Sequence, residues 1–583
     1  MTKRKLGVLL IGFVAVSAIA TAAALAVDNP SGFKTSQPSM LTPVMSGVEV
    51  DRLLTVGDVL PSGYRFEAIP DGISLRTRGQ GRADVFVNHE TSKVPFPYNA
   101  TAPTAANGEN DFDNSQVSKL ILNQHSAGVL NGSFAISSSS GYQRFCSNYL
   151  ATAKEGFDRE ILFTNEESPD YVLRQEASWP PSLTDPAQRE AGLVIALDVQ
   201  TGKHKPIYGM GRHNHENNVA IPGFGYPVVF SGDDTFTSGP LTGVFPAGAV
   251  PSQSQLYSYI APSTDALLAD EGKLWAFVSD TPGVKNYYNV LPNSGTVVTG
   301  HFIEVPKDIA TGLKADGSEL KAADKGYPPP PTNGSWQTDL RSTTAVGIDG
   351  PQWVLEYWSD INNVFQFVRV EDIAYDETDD NVVYIVDSGR GRTAAQSLDT
   401  PNFRSTNGRV WRMELDPNDP KVVTSLTVLV EGDDNPVKTL NEVHQPDNIE
   451  STPNGLLLTE DPGSSQQFTA AQQLADPANA TTARLWYVPF SGTPQVVVKV
   501  NQSADGGPTD VDGRPAGNWG AWESSGIVDA SAAFGPGAFL IDVQAHTLWV
   551  EKAPGDDNNG DGQPDFTYKR EGGQLVLLKV PGV

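Results

Sequence analysis

A β-propeller is the fold class this sequence predicts, an all-β chain whose blades turn about one axis. Three observations predict it. Apolar or alternating runs of about four to ten residues, bounded by Gly, Pro, Asn or Asp, recur from about residue 76 to the end, which is how short strands read in a sequence. Gly 55 and Pro 43 with only 19% charged residues favour turns over helices. Acid-tipped runs also return at a repeated interval, with the rhythm broken in the middle of the chain. Glu90 to Glu166 is 76 residues (166 − 90), Glu371 to Asp447 is 76 (447 − 371) and Asp447 to Glu523 is 76 (523 − 447). That step exceeds the ~40–50 residues of a typical blade, so each interval holds two blades or one blade with an insertion. Blades set round an axis bring equivalent strand ends to one mouth of a channel.

In chain order, Thr2-Lys3-Arg4-Lys5 is a basic start, 6–23 is apolar and Ala24-Leu25-Ala26 is a small-residue cleavage site. Residues 1–26 therefore read as a signal peptide. The apolar run is also long enough to span a membrane, so an uncleaved anchor stays open. There is no Arg-Arg pair, which favours the general export route and a secreted, periplasmic or cell-surface protein. Residues 27–75 are polar and rich in Pro and Ser and read as a lead-in; 76–583 form the propeller domain. Clear strand candidates are 192–199, 273–280, 367–375, 382–387, 409–415, 484–490, 495–500, 539–543 and 574–580. The best helical candidates, 264–270 and 469–474, are short, and 312–334, with Pro328 to Pro331, reads as an inserted surface loop.

The net charge of −28 excludes a phosphate-binding basic face, so no nucleic-acid partner is expected. It suits a soluble exported protein or one that binds cations. A single cysteine, Cys146, excludes an intramolecular disulfide. It is either a small buried hydrophobe, a metal ligand or a nucleophile. The chain is expected to work as a monomer, with no membrane span once the leader is removed.

The densest chemistry lies in 209–218, where Arg212, His213, His215, Glu216 and three amides sit between two glycines and the apolar Val219-Ala220-Ile221. Neither an amphipathic helix nor an alternating strand gives that pattern. Similar fragments end other apolar runs: Asn88-His89-Glu90, Thr164-Asn165-Glu166-Glu167, Ser231-Gly232-Asp233-Asp234, Arg369-Val370-Glu371-Asp372 and Thr459-Glu460-Asp461. The pair Asp447-Asn448 before a turn and an apolar strand is a further cation-type motif, or else an Asx turn beside a solvated strand end. Near the C-terminus Asp557, Asn559, Asp561 and Asp565 fall at positions 1, 3, 5 and 9 of a calcium-type loop with Gly562 at 6, although position 12 is Tyr568.

On these residues the chain resembles the secreted PhoX-type alkaline phosphatases, a family long filed as a domain of unknown function. Gly211-Arg212-His213-Asn214-His215-Glu216 is similar to their Gly-Arg-x-x-His-Glu, and Arg369-Val370-Glu371-Asp372 to their Arg-Pro-Glu-Asp. Asn88-His89-Glu90, Thr164-Asn165-Glu166-Glu167 and Gln445-Pro446-Asp447-Asn448 follow in the same order, within about 80–580. Arg144-Phe145-Cys146-Ser147 and the stretches 522–529 and 540–546 resemble a longer, divergent branch. Many members carry Cys-Glu-Glu where this chain has Asn165-Glu166-Glu167, which leaves Cys146 as the one sulfur ligand.

The resemblance implies a six-bladed propeller that hydrolyses phosphate monoesters, small phosphorylated molecules, through calcium and iron at its mouth. It implies Glu216 and Glu371 as metal ligands, Glu90, Glu166, Asp447 and Cys146 as further ligands, and Arg369 facing the phosphate. Arg212 would add positive charge beside it, while His89, His213 and His215 would orient other groups. Two other readings remain open on the same residues: a non-catalytic ligand-binding propeller, and a calcium-dependent hydrolase of another ester or a lactone.

Overall fold

The structure, a computed structural model, describes residues 31–90, 115–169, 171–172, 189–235, 254–331, 347–389, 407–432, 441–461, 481–504, 522–552 and 566–583. The leader at 1–26, the helix expected at 469–474 and the acidic loop with Asp557, Asn559, Asp561 and Asp565 lie outside the described residues.

The described strands make six antiparallel blades. In blades 1 to 5 a four-stranded meander opens with an inner strand: Pro70–Arg78, Phe145–Ala151, His215–Ala220, Val370–Tyr375 and Pro446–Thr452. The inner strand of blade 6 is Glu523–Asp529, followed by Ala538–Lys552 and Phe566–Lys579. Its fourth strand is Glu49–Thr55, from the other end of the chain. Each inner strand packs on the inner strands of the blades before and after it, and that of blade 6 packs on that of blade 1. The ring is therefore closed, and the expected all-β propeller is what the residues build. Residues 27–75, read as a lead-in, carry strands of the ring: Leu41–Pro43 extends blade 5, Glu49–Thr55 completes blade 6 and Pro70–Arg78 begins blade 1. Val298–Glu304 bridges the outer edges of blades 3 and 4, joining them in one nine-stranded sheet.

The apolar runs have a simple cause. A strand inside a ring of blades is covered on both faces, so it loses the one-sided alternation of a surface sheet. Phe86 packs toward blade 2 while Val85 and Val87 pack toward blade 6. Leu457 faces blade 6 while Leu456 and Leu458 face blade 4. Each neighbouring pair of blades thus has its own apolar core, and burying such side chains at about 25 cal/mol per Å² drives the stacking. Among the described residues helices are few; the longest, Pro351–Ile361, opens on a proline and packs Val354, Leu355 and Trp358 into the core between blades 2 and 3. In the excursion at 312–334, of which 312–331 are described, a short helix Ala322–Lys325 is closed by left-handed Gly326.

Candidate metal centre

One irregularity is repeated six times and builds the site. The inner strand of each blade keeps register with its neighbour except near its start, where two residues oppose one. The skipped pairs are Asp71-Gly72, Cys146-Ser147, Glu216-Asn217, Glu371-Asp372, Asp447-Asn448 and Ser525-Gly526. A bulge of this kind re-aims a side chain that a regular strand would send sideways. Here it puts Asp71, Cys146, Glu216, Glu371, Asp447 and Ser525 in a ring around the axis. Two residues ahead of four of them, Ile69, Arg144, Arg369 and Gln445 take left-handed backbone, with φ of 42, 43, 60 and 47°. For β-branched Ile69 this is a strained conformation, of the sort that persists where the surroundings enforce it.

A second tier comes from the strand beside each inner strand. Its last paired residue is His89, Glu166, Asp233, Asp387 or Glu460 in blades 1 to 5. The acids here are used in part to hold the scaffold. Glu166 accepts from the backbone N–H groups of Gln143 at 2.9 Å and Leu193 at 3.2 Å. Glu460 accepts from the N–H of His444, from Arg484 and from the Trp486 indole, and Asp387 from the Trp411 indole at 2.7 Å. The next residue projects toward the axis instead: Glu90, Glu167, Asp234, Ser388 and Asp461.

Together the tiers make three overlapping groups whose ligand atoms lie within 4.8 Å of one another: Asp71, Glu90 and Cys146; Cys146, Glu167 and Glu216; Glu216, Glu371 and Asp447. All are buried. Hydrogen bonds fix their aim. Cys146 Sγ donates to Asp71 at 2.7 Å, Ser525 Oγ to Asp71 at 2.6 Å, Ser147 Oγ to Glu216 at 2.8 Å, and Ser388 Oγ to Glu371. Asn448 Nδ2 in turn supports Ser147 at 2.9 Å. Beneath the ring the channel is lined by Gly72, Ser147, Asn217, Asp372, Asn448 and Gly526 and holds about 140 Å³, room for ordered water.

Burial raises the proton affinity of these groups, and mutual repulsion adds to it. Glu216 is pushed well above the usual carboxylate range by burial, then by Glu167 and Glu371. Asp447 is pushed up by burial, then by Glu216 and Glu371, and Glu371 by burial, partly offset by Arg369. The Cys146 thiol is raised by burial and then by Asp71. Carboxylates this close and this deep must share protons or cations, because an isolated buried charge costs far more than it returns.

Two arginines lean on the second tier. Arg369 Nε and Nη2 each lie 2.9 Å from Asp234, and Nη2 lies 3.1 Å from Glu371. Arg144 lies 4.0 Å from Glu90 and 3.9 Å from Glu167.

Of the residues expected from the sequence, the structure brings Glu90, Cys146, Glu216, Glu371 and Asp447 together, with Arg369 beside them. Two expectations are corrected. Glu166 is a backbone acceptor, and its neighbour Glu167 takes the place on the axis, because successive strand residues face opposite ways. Arg212, fully buried, does not reach the ring: it donates to the carbonyls of Glu190 and Ala191 and lies 3.5 Å from Glu319. His215 is bound to Ser231 and Gly211, with its ring 3.5 Å from that of His213, and burial lowers it to about 3. His89, also lowered to about 3 by burial, meets Ser118. These neutral imidazoles brace the strands that carry the acids. Sequence reasoning quoted the fragments that hold Glu167, Asp234 and Arg144 without singling these residues out, and it did not include Asp71. The signal for Asp71 was present, since Ile69-Pro70-Asp71-Gly72 parallels Gln445-Pro446-Asp447-Asn448.

No family model matches the chain, and no curated protein matches it. Among solved structures it is similar to a protein of unknown function from Dyadobacter fermentans, at 10% identity and a TM-score of 0.34, over 92% of this chain and all of that one. It is also similar to the Streptococcus pneumoniae NanB sialidase (8%, TM-score 0.34, 88% of this chain and 68% of that one). A Pyrococcus horikoshii acylaminoacyl peptidase gives 7% and 0.27, over 82% of this chain and 50% of that one. Likenesses this distant say nothing about the chemistry of the ring.

Proposed function

We propose that this propeller is an exported, metal-dependent hydrolase of phosphate monoesters, with cations held by the ring of bulged residues. The observation that carries the reading is the set of three overlapping groups within 4.8 Å, flanked by Arg369. Glu216, Glu371 and Asp447 offer oxygen alone, which suits calcium. The two groups that share Cys146 add a sulfur, which suits a softer metal such as iron once the thiol loses its proton. Bound there, such cations supply Lewis-acid polarisation of phosphoryl oxygens and a water of lowered pKa.

The chain's own residues do the rest. Ser147 and Ser388 hold Glu216 and Glu371 in orientation. Asp234 fixes Arg369 through two parallel contacts, so that its positive charge stands beside Glu371 before substrate arrives. Burial excludes bulk water from the acids. The basic start, apolar run and Ala24-Leu25-Ala26 support export.

The test is elemental analysis and phosphate release from an aryl monoester at alkaline pH by protein supplied with calcium and iron. Glu371→Gln should lower turnover by roughly two to four powers of ten. Arg369→Ala should lower turnover with the metal content unchanged. Protein that binds the metals and hydrolyses no phosphoester is instead a binding propeller or a hydrolase of another ester.

A further inference from the structure

Two buried acids outside the ring each carry an oxygen that meets nothing. Glu356 and Asp360 stand four residues apart near the C-terminal end of the helix Pro351–Ile361, a spacing that puts them on one face. Glu356 is only 3% exposed. Its Oε2 accepts from Gln255 Nε2 at 2.8 Å, and Tyr257 fixes that amide by donating its hydroxyl to Gln255 Oε1 at 2.9 Å. Gln255 Nε2 also donates to Gln366 at 2.8 Å. Glu356 Oε1 and Asp360 Oδ2 are buried without a hydrogen-bond partner.

The surroundings press against negative charge at this place. Burial raises Glu356 to about 8, with Asp360 adding to the shift, and burial raises Asp360 to about 7. Asp233, the last residue of its strand in blade 3, is pushed up by burial and then by Glu356. Among the described residues no basic group offsets the shift of Glu356 or of Asp360. The last turn of the helix carries no basic side chain either, and its carbonyl end disfavours an anion. A proton on either orphaned oxygen makes a buried hydroxyl that still needs an acceptor. A cation between the two oxygens satisfies both and removes their repulsion.

We infer that Glu356 and Asp360 hold a calcium ion at a site separate from the ring. The donors are oxygen alone, which suits a hard cation, and calcium tolerates irregular geometry and completes its shell with water. Asp360 is half-buried and gives the ion its way in. Neither acid belongs to the three ring groups, and the site stands whether or not the ring hydrolyses phosphoesters.

The experiment uses the full chain, stripped of metal and dialysed to equilibrium against calcium alone, with the bound ion counted by elemental analysis. The double variant Glu356→Gln with Asp360→Asn keeps the shape of both side chains and removes both charges. It should bind one calcium fewer than wild type at saturation. Its calcium-induced rise in Tm should be about 2 °C smaller at 100 times the Kd. Adding the same two changes to Glu371→Gln, which alters the ring, should again remove one calcium relative to Glu371→Gln alone. Equal counts in wild type and the double variant would overturn the inference and leave the two acids sharing a proton. Should the double variant not fold, Asp360→Asn alone is counted in the same way, and an undiminished calcium count there overturns the site.

Discussion

Glu216 is the residue at which the ring is most exposed to test, because it belongs to two of the three cation groups. Like charges at 4.8 Å repel by about 3.5 kcal/mol at an effective dielectric constant of ~20. Without cations, burial and then the neighbouring acids Glu167 and Glu371 favour its protonated form. Glu216→Gln then replaces a neutral acid by a neutral amide, and Ser147 still has an oxygen to donate to. Cation-free wild type and variant should melt within about 1 °C of each other at pH 6.

The pH dependence follows from the direction of the shift. A carboxyl whose folded pKa is raised gives stability that is full below its unfolded value near 4.3 and is lost as pH rises toward the folded one. Cation-free wild type should therefore lose stability from about pH 5 to pH 9, and Glu216→Gln should lose less. Cations reverse the order. One ion at 100 times its Kd adds about 2.7 kcal/mol. Residues 31–583 number 553 (583 − 30), and at ~2.1 cal/mol/K each their unfolding entropy is about 1.2 kcal/mol/K. Each ion should thus raise Tm by about 2 °C, and the variant should forfeit about 4 °C of the response. Calorimetric melts with and without calcium at pH 6 and 9 read all four values. An undiminished cation response in Glu216→Gln, or a cation-free variant several degrees less stable than wild type at pH 9, would refute the argument.

Three other perturbations separate the ring from its scaffold. Cys146→Ser should lower the content of iron and leave calcium in the all-oxygen group, as measured by elemental analysis, because a hydroxyl ligates soft metals poorly. Glu166→Ala should leave metal content nearly unchanged but cost about 2–5 kcal/mol in denaturant melts, since it orphans the buried N–H groups of Gln143 and Leu193. Asp542→Asn should stabilise the protein. Asp542 opposes the bulge of blade 6, as Asn88 and Asn165 oppose those of blades 1 and 2, and those amides donate to bulge carbonyls of the following blade, Asn165 also to one of its own. Both Asp542 oxygens are buried without a hydrogen-bond partner, and burial pushes the acid well up. The gain in melting temperature should grow as pH rises from 5 to 9, because only the acid is penalised on ionising.

The sequence showed the propeller because both faces of its strands are covered, and that leaves apolar runs cut by turns. It showed Glu371 and Asp447 because consecutive blades repeat their bulge at 76 residues. It showed Asp71 only through the likeness of Ile69-Pro70-Asp71-Gly72 to Gln445-Pro446-Asp447-Asn448, at the end of a polar stretch whose first strands pair with the far end of the chain. The choice between Glu166 and Glu167 was beyond it for a different reason. Adjacent acids differ by one residue of register, and a bulge in the neighbouring strand decides which one meets the axis. Arg212 misled because a cation next to two histidines and a glutamate looks like part of a site, whereas the turn before His215 carries it outward to Glu190 and Glu319.

The sixth blade takes its last strand from near the start of the chain, and Gln574 reaches back 519 residues to Thr55. During synthesis Asp71 is made early, yet its partner Ser525 arrives 454 residues later. Blades 1 to 5 can therefore stack as they emerge, but the circle of bulged residues closes on Asp71 only when the final sheet latches. The acid groups drawn from blades 2 to 5 need only their own neighbours, whereas Asp71 waits for Ser525 and for a sheet sealed by the two ends of the chain.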